Sequence, residues 1–181
     1  MRNLRDNMQE LVDEVAEGGV PYLVCANTPI GSMQEIKDSI AVLNKTGEAC
    51  KKAGVTFAYH NHDFEFTPID GKLPYDLMLA ETDKNLVKME LDLYWIVKAN
   101  QDPLAYMKKH PDRFALFHVK DLDKTPNRGI TEVGHGVIDF KTIFANMWDE
   151  ETQSMISFGE YKKKKQAVLE KIRAKLDSSS K

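Results

Sequence analysis

At 181 residues, with 42% hydrophobic and 29% charged side chains, the chain is long enough to bury a core and form one domain, or most of a larger one. Its formal net charge of −3, with basic residues dispersed, gives no reason to expect nucleic acid as a partner. No apolar run approaches the ~20 residues of a membrane span, and Met1-Arg2-Asn3-Leu4 opens into an amphipathic pattern rather than a signal peptide, so the expected compartment is cytoplasmic. The one basic run, Lys162 to Lys165, sits in a helical context and reads as a solvated face. Cys25 and Cys50 fall in apolar surroundings and read as buried free thiols.

Leu4, Met8, Leu11, Val12 and Val15 recur at helical spacing, and Gly18-Gly19 supply a stop. A short, continuous, apolar run over 22–26 reads as a strand buried on both faces, as parallel sheets require. Ser32 with Glu35 forms a capping box opening a helix whose stripe is Ile36, Ile40, Leu43 and Cys50, with Gly54 as its terminator. A strand over 55–61 follows at once. Residues 63–74 read as a loop, and a short helix follows Pro74. Residues 86–92 form the next strand, with Lys88, Glu90 and Asp92 on one face by the two-residue period. Lys88 and Glu90 would most simply pair with each other. Residues Tyr94–Asn100 read as helix or turn, and Asp102-Pro103 is an N-cap followed by proline at the first helical position. A fourth strand spans 114–120, residues 125–136 read as a long loop, and Asp139 caps a further helix. The short connections between strand and helix predict a parallel α/β sheet in the domain 1–146. A charged helical segment with a frayed tail occupies 147–181. Within it, Met155 to Phe158 reads equally as a strand or as the start of the terminal helix.

Three strand ends finish in ionisable residues: His60, His62 and Glu65; then Asp92; then His118, Lys120 and Asp121. Each has an ordinary structural explanation. A strand-end aspartate commonly caps the following helix, and a lone histidine is commonly a satisfied core residue. Recurrence at successive strand ends is what points to a site, because α/β barrels gather their active-site groups there. Carboxylates mixed with imidazoles suit a divalent ion such as Mn²⁺, Co²⁺, Mg²⁺ or Zn²⁺.

Tyr59-His60-Asn61-His62-Asp63-Phe64-Glu65-Phe66 resembles the signature strand of one branch of the xylose isomerase-like TIM-barrel superfamily, the sugar phosphate isomerase/epimerase or AP endonuclease 2-like group. Leu91-Asp92-Leu93-Tyr94-Trp95 running to Asp102-Pro103, Phe117-His118-Val119-Lys120-Asp121, and the glycine-containing stretch 132–140 resemble its following segments in the same order. The resemblance implies a partial (β/α)8 barrel that lacks the first three strands and a recognisable eighth. It implies a divalent metal, Mn²⁺ foremost, held by Glu65, Asp92 and His118, with His60 or His62 as alternatives to Glu65 and Glu160 as a fallback fourth ligand. It further implies His62, Glu65 and Lys120 as catalytic groups, and His60, Trp95 and Lys120 as contacts to a sugar or keto-sugar. The implied activity is isomerisation or epimerisation by proton transfer beside a carbonyl. The alternatives are a non-catalytic fragment that binds metal or sugar, and a 3-keto-sugar lyase or dehydratase. Phosphodiester cleavage is disfavoured, since no basic groove is visible. The missing barrel wall would be supplied by self-association or by a complementing chain.

Overall fold

The computed structural model describes residues 2–149, 154–155 and 158–179. The first amphipathic stretch folds as two helices, α1 (Arg2–Asp6) and α2 (Met8–Glu17), rather than one. They part at Asn7, whose φ of −135° and ψ of 35° lie outside the helical region. Asparagine competes poorly for helix interiors, because its side chain offers the backbone other partners. After β1 (Tyr22–Cys25), the Ser32 hydroxyl caps α3 (Met33–Lys52) by accepting from the Glu35 N–H at 3.2 Å. The Glu35 carboxylate reaches back to the Gly31 N–H at 2.6 Å, one residue earlier than a standard capping box. Gly54, with φ of +76°, turns the chain into β2 (Thr56–His60).

A 3₁₀ turn at Phe64–Phe66 leads towards α4 (Pro74–Glu81) and β3 (Val87–Asp92). Two short helices follow, α5 (Leu93–Lys98) and α6 (Pro103–Lys109). Asp102 caps α6 by accepting from the Leu104 N–H at 2.8 Å. β4 (Phe114–His118) completes a four-stranded parallel sheet in the order β1-β2-β3-β4. The strands expected at 22–26, 55–61, 86–92 and 114–120 are thus all present, each shorter by one or two residues. Sequential order with every crossover carrying helix is one arc of a barrel wall.

Alternation divides the sheet. Phe57, Tyr59, Val87, Met89 and Leu91 are buried in one core with Ile36, Leu43 and Cys50 of α3 and Met78 of α4. Each large apolar side chain there contributes about 1.5–3 kcal/mol of transfer free energy. Gly47 lets α3 seat against the entry to β3, since a Cβ there would lie 2.6 Å from the Leu86 carbonyl oxygen. Both cysteines are buried free thiols, and burial pushes Cys50 up to about 11.

The opposite face carries His60, Lys88, Glu90 and Asp92. Lys88 does not pair with Glu90: its ammonium donates to the Asp112 carbonyl at 3.0 Å, and Glu90 bonds His60 across the sheet. The ladder between β3 and β4 slips after Met89, where Met89 pairs with Phe114 but Glu90 pairs with Leu116. Ala115 is the extra residue of this bulge. A one-residue slip exchanges the two faces of a strand, and this one sets His118 beside Asp92.

Beyond β4, the stretch expected to be a long loop contains a small hairpin, β5 (Asp121–Leu122) paired antiparallel with β6 (Ile130–Thr131). Two residues per strand leave too little periodicity to read. Asp139 caps α7 (Phe140–Ala145) by accepting from the Thr142 N–H at 3.0 Å. β7 (Trp148–Asp149) then pairs with β8 (Ser154–Met155), and α8 spans Phe158–Ser179. Met155 therefore ends a short strand and Phe158 starts the helix, while Ile156 and Ser157 lie outside the described residues. Lys162 to Lys165 are all exposed on α8. Among the described residues, no further strand joins the four-stranded sheet, and no helix is long and apolar enough to cross a membrane.

Candidate metal centre

Register builds the site. His60 stands opposite Glu90, and Asp92 stands opposite His118, all at the carboxyl ends of β2, β3 and β4. His60, Asp92 and His118 each offer a ligand atom, and these atoms lie within 4.8 Å of one another. His118 Nδ1 is 3.2 Å and His60 Nε2 is 3.6 Å from Asp92 Oδ2. The other His60 nitrogen, Nδ1, lies 2.8 Å from Glu90 Oε2. A carboxylate can only accept, so this bond puts the imidazole proton on Nδ1 and leaves the Nε2 lone pair facing the cluster. Histidine metal ligands are commonly oriented by a carboxylate in this way.

Asp92 is fully buried and fixed from three sides. Its Oδ1 accepts from the Trp95 N–H at 3.0 Å and so caps α5. The Asn61 side chain brackets its backbone, accepting from the Asp92 N–H at 2.9 Å and donating to its carbonyl at 3.4 Å. Lys120 Nζ lies 2.8 Å from Oδ2, close enough for an ion pair, yet Oδ2 receives no well-aligned hydrogen bond among the described residues. A buried carboxylate oxygen left in that state, facing two imidazoles, is what a divalent ion would satisfy. The donor set fits the group.

Glu65 is not brought to this cluster. The 3₁₀ turn folds it back, fully buried, so that it accepts from the Tyr59 hydroxyl at 2.6 Å and from the His62 N–H at 2.8 Å. Burial pushes its carboxyl above the ordinary range, although the Tyr59 bond pulls the other way. Its Oε1 lies 4.0 Å from His62 Nδ1, a buried nitrogen with no hydrogen-bond partner among the described residues. Burial and then the neighbouring His60 push the His62 imidazole below its ordinary range. The His62 ring lies 4.9 Å from His60, 5.5 Å from Trp95 and 5.2 Å from Phe64, stacked on the last. Trp95 closes the wall between His62 and Lys120, whose ammonium is 5.3 Å from its ring. Glu160 is exposed on α8 and is not part of the cluster.

Two groups escaped the reading of the sequence. Glu90 orients His60, and Asn61 clamps Asp92. The two-residue period already placed Glu90 on the face of Asp92, but its partner depended on which residue lies across the ladder.

Asp121, grouped above with the strand-end residues, turns away from the cluster. Its carboxylate accepts from the Leu122, Gly134, Gly136 and Ile138 N–H groups at 2.8–3.1 Å. A Cβ on Gly136 would fall on that carboxylate, so glycine is required there. Burial alone would raise the carboxyl, but the four backbone donors outweigh it and hold it below the ordinary range. A depressed folded-state value means that the stabilisation is present above the unfolded value and is lost as pH falls through the folded one. Asp121→Asn is expected to cost about 3 kcal/mol in urea denaturation at neutral pH. It should also flatten the acid limb of the stability profile. An unchanged acid limb would remove Asp121 from that account.

The chain belongs to the Xylose isomerase-like TIM barrel family, whose model matches residues 2–177. A sugar phosphate isomerase/epimerase from Parabacteroides distasonis ATCC 8503 superposes with a TM-score of 0.68 at 32% identity, over 80% of this chain and 53% of that one. An inosose dehydratase from Clostridium tetani is 27% identical over 144 residues, covering 71% of this chain and 48% of the dehydratase. The fold is also that of the IOLI protein solved with a bound zinc atom, with a TM-score of 0.61 at 15% identity, over 76% of this chain and 53% of that one. The chain thus spans about half the length of the relatives it matches.

Proposed function

We propose that this site removes a proton beside the carbonyl of a keto-sugar and expels water from the adjacent carbon, a dehydratase reaction. The observation that carries the reading is the His60–Asp92–His118 cluster, with Asp92 Oδ2 buried and without a well-aligned donor among the described residues. These three residues would hold a divalent ion, Mn²⁺ foremost, with Glu65 behind His62 rather than among the ligands. When bound, such an ion supplies Lewis-acid polarisation of the carbonyl.

The residues of the chain do the rest. Trp95 packs against one face of the sugar, and Lys120 donates to the carbonyl oxygen as negative charge gathers there. His62, with Nδ1 towards Glu65, presents Nε2 as the proton acceptor. The C–H electron pair moves to the carbonyl oxygen. It then returns to form the carbon–carbon double bond as the β-hydroxyl leaves, carrying the proton that His62 gives back as water departs. One acid–base group is enough for this elimination, and the inosose dehydratase relatives bear its name.

Isomerisation or epimerisation is the second reading, favoured by the likeness at 32% identity to a sugar phosphate isomerase/epimerase. It shares the first proton transfer and returns the proton to carbon. Calorimetric titration of Mn²⁺ into wild type and His118→Ala tests the centre. Binding is expected in the first and at least about a hundredfold loss in the second. Incubation of a 3-keto-sugar in D₂O then separates the chemistries. Loss of water supports dehydration, whereas deuterium in an isomerised or epimerised sugar supports the second reading. Mn²⁺ binding with neither outcome would reduce the chain to a metal-binding scaffold.

A further inference from the structure

The sheet has a second polar end. At the amino ends of β3 and β4, away from the candidate centre, a cleft of about 380 Å³ opens. It lies between the end of α4, Lys84 ahead of β3, and the segment 109–113 that leads from α6 into β4. Arg113 lines it and is only 5% exposed. Its terminal nitrogens donate to the Leu79 carbonyl and, at 2.6 Å, to the Thr82 hydroxyl, both uncharged. Its Nε is buried without a hydrogen-bond partner, and no carboxylate pairs with the guanidinium among the described residues. Buried charges are ordinarily paired, because removing them from water is costly. This one keeps its charge with neutral partners only.

The neighbouring groups add to the imbalance. His110, in the same wall, holds Nε2 buried and also without a partner among the described residues. Lys84 is exposed at the rim, and Lys109 lies 4.0 Å from Asp76. Against Arg113, Lys84 and Lys109, the lining offers one carboxylate, that of Asp112. The excess of positive charge reaches the titrating groups. Burial, then the Lys109 and Arg113 charges, push His110 below its ordinary range. Burial, then Arg113, do the same to Lys88, whose ammonium donates to the Asp112 carbonyl at 3.0 Å.

A ligand with several acceptor oxygens and a negative charge would satisfy these groups together. A guanidinium with an unused N–H beside a second nitrogen donor suits phosphate oxygens, and a lysine at the rim adds a point charge. The volume lies in the lower part of the range that holds small molecules. We propose that this cleft binds a phosphate group, free or carried on a small molecule, with Arg113 and His110 as its inner donors and Lys84 at its mouth. The proposal is independent of the chemistry assigned to the His60–Asp92–His118 centre.

The test is calorimetric titration of inorganic phosphate, glucose 6-phosphate and glucose into the wild-type chain, at fixed ionic strength and without added metal. Both phosphates are expected to bind and glucose to give no heat. Tighter binding of glucose 6-phosphate assigns the cleft to a carried phosphate, and equal or weaker binding assigns it to the free ion. Lys84→Glu, at an exposed position, should weaken the preferred phosphate at least about tenfold. Arg113→Gln should do the same, with urea denaturation showing whether it folds; if it does not, Lys84→Glu decides. His118→Ala should leave phosphate binding unchanged, since it sits at the other end of the sheet. The proposal is overturned if neither phosphate binds, if Lys84→Glu binds like wild type, or if His118→Ala abolishes binding and so moves the anion to the candidate centre.

Discussion

Asp92→Asn is expected to lose divalent-metal affinity by at least about a hundredfold while unfolding close to wild type. The two carboxylate oxygens have separate tasks, which is why asparagine tells more than alanine. Oδ1 caps α5 through the Trp95 N–H, and an amide oxygen can take over that bond. Loss of the cap, as in Asp92→Ala, would add about 1 kcal/mol of destabilisation and confuse the result. Oδ2 faces His118 Nδ1, His60 Nε2 and the Lys120 ammonium. An amide nitrogen in its place brings a donor towards Lys120 and removes the one negative charge of the ligand set. Calorimetry with Mn²⁺ and urea denaturation on the same preparation read the two tasks separately. Asparagine that binds Mn²⁺ like wild type would end the claim that Asp92 is a ligand.

His62→Gln has the opposite signature. It should lower deuterium exchange or elimination on a keto-sugar by roughly 10²–10⁴-fold, the usual contribution of a positioned acid–base group. Mn²⁺ affinity should stay near wild type, because His60, Asp92 and His118 define the cluster without His62. His62 Nδ1 is buried with no hydrogen-bond partner among the described residues and has the Glu65 carboxylate 4.0 Å behind it, the geometry on which the proposed proton transfer rests. If turnover persists in His62→Gln, the proton is moved elsewhere. If metal binding falls in parallel, His62 is a wall that supports His60.

Much of the architecture was legible because its signals are local. Ser32, Asp102 and Asp139 each accept from an N–H a few residues onward, and such side chains announce helix starts in any context. The four strands were legible as short apolar runs between turn residues. The site was legible only as a region. Asp92 and His118 emerge from their positions at strand ends, but the place of His60 beside them depends on Glu90, thirty residues on in the chain. Glu65 shows the converse. Its motif suggested a ligand, and a single 3₁₀ turn points the carboxylate at Tyr59 instead. The hairpin of Asp121–Leu122 with Ile130–Thr131 and the helix break at Asn7 are likewise set by tertiary context rather than by pattern.

The slip at Ala115 makes the centre a matter of counting. Phe114 and Leu116 both follow the ladder, but the residue between them decides whether an odd or an even position meets Asp92. Conservative exchange at Ala115 leaves that parity intact. Were Ala115 paired in regular register rather than bulged out, Phe117 would face Asp92 and His118 would turn to the far side, with every candidate ligand still in the sequence. Its deletion would instead straighten the strand and keep His118 opposite Asp92. The bulge in β4 is therefore as much a determinant of this candidate centre as the identity of its residues. Comparisons between such chains that score only matched residues would miss a change of register that takes His118 away from Asp92.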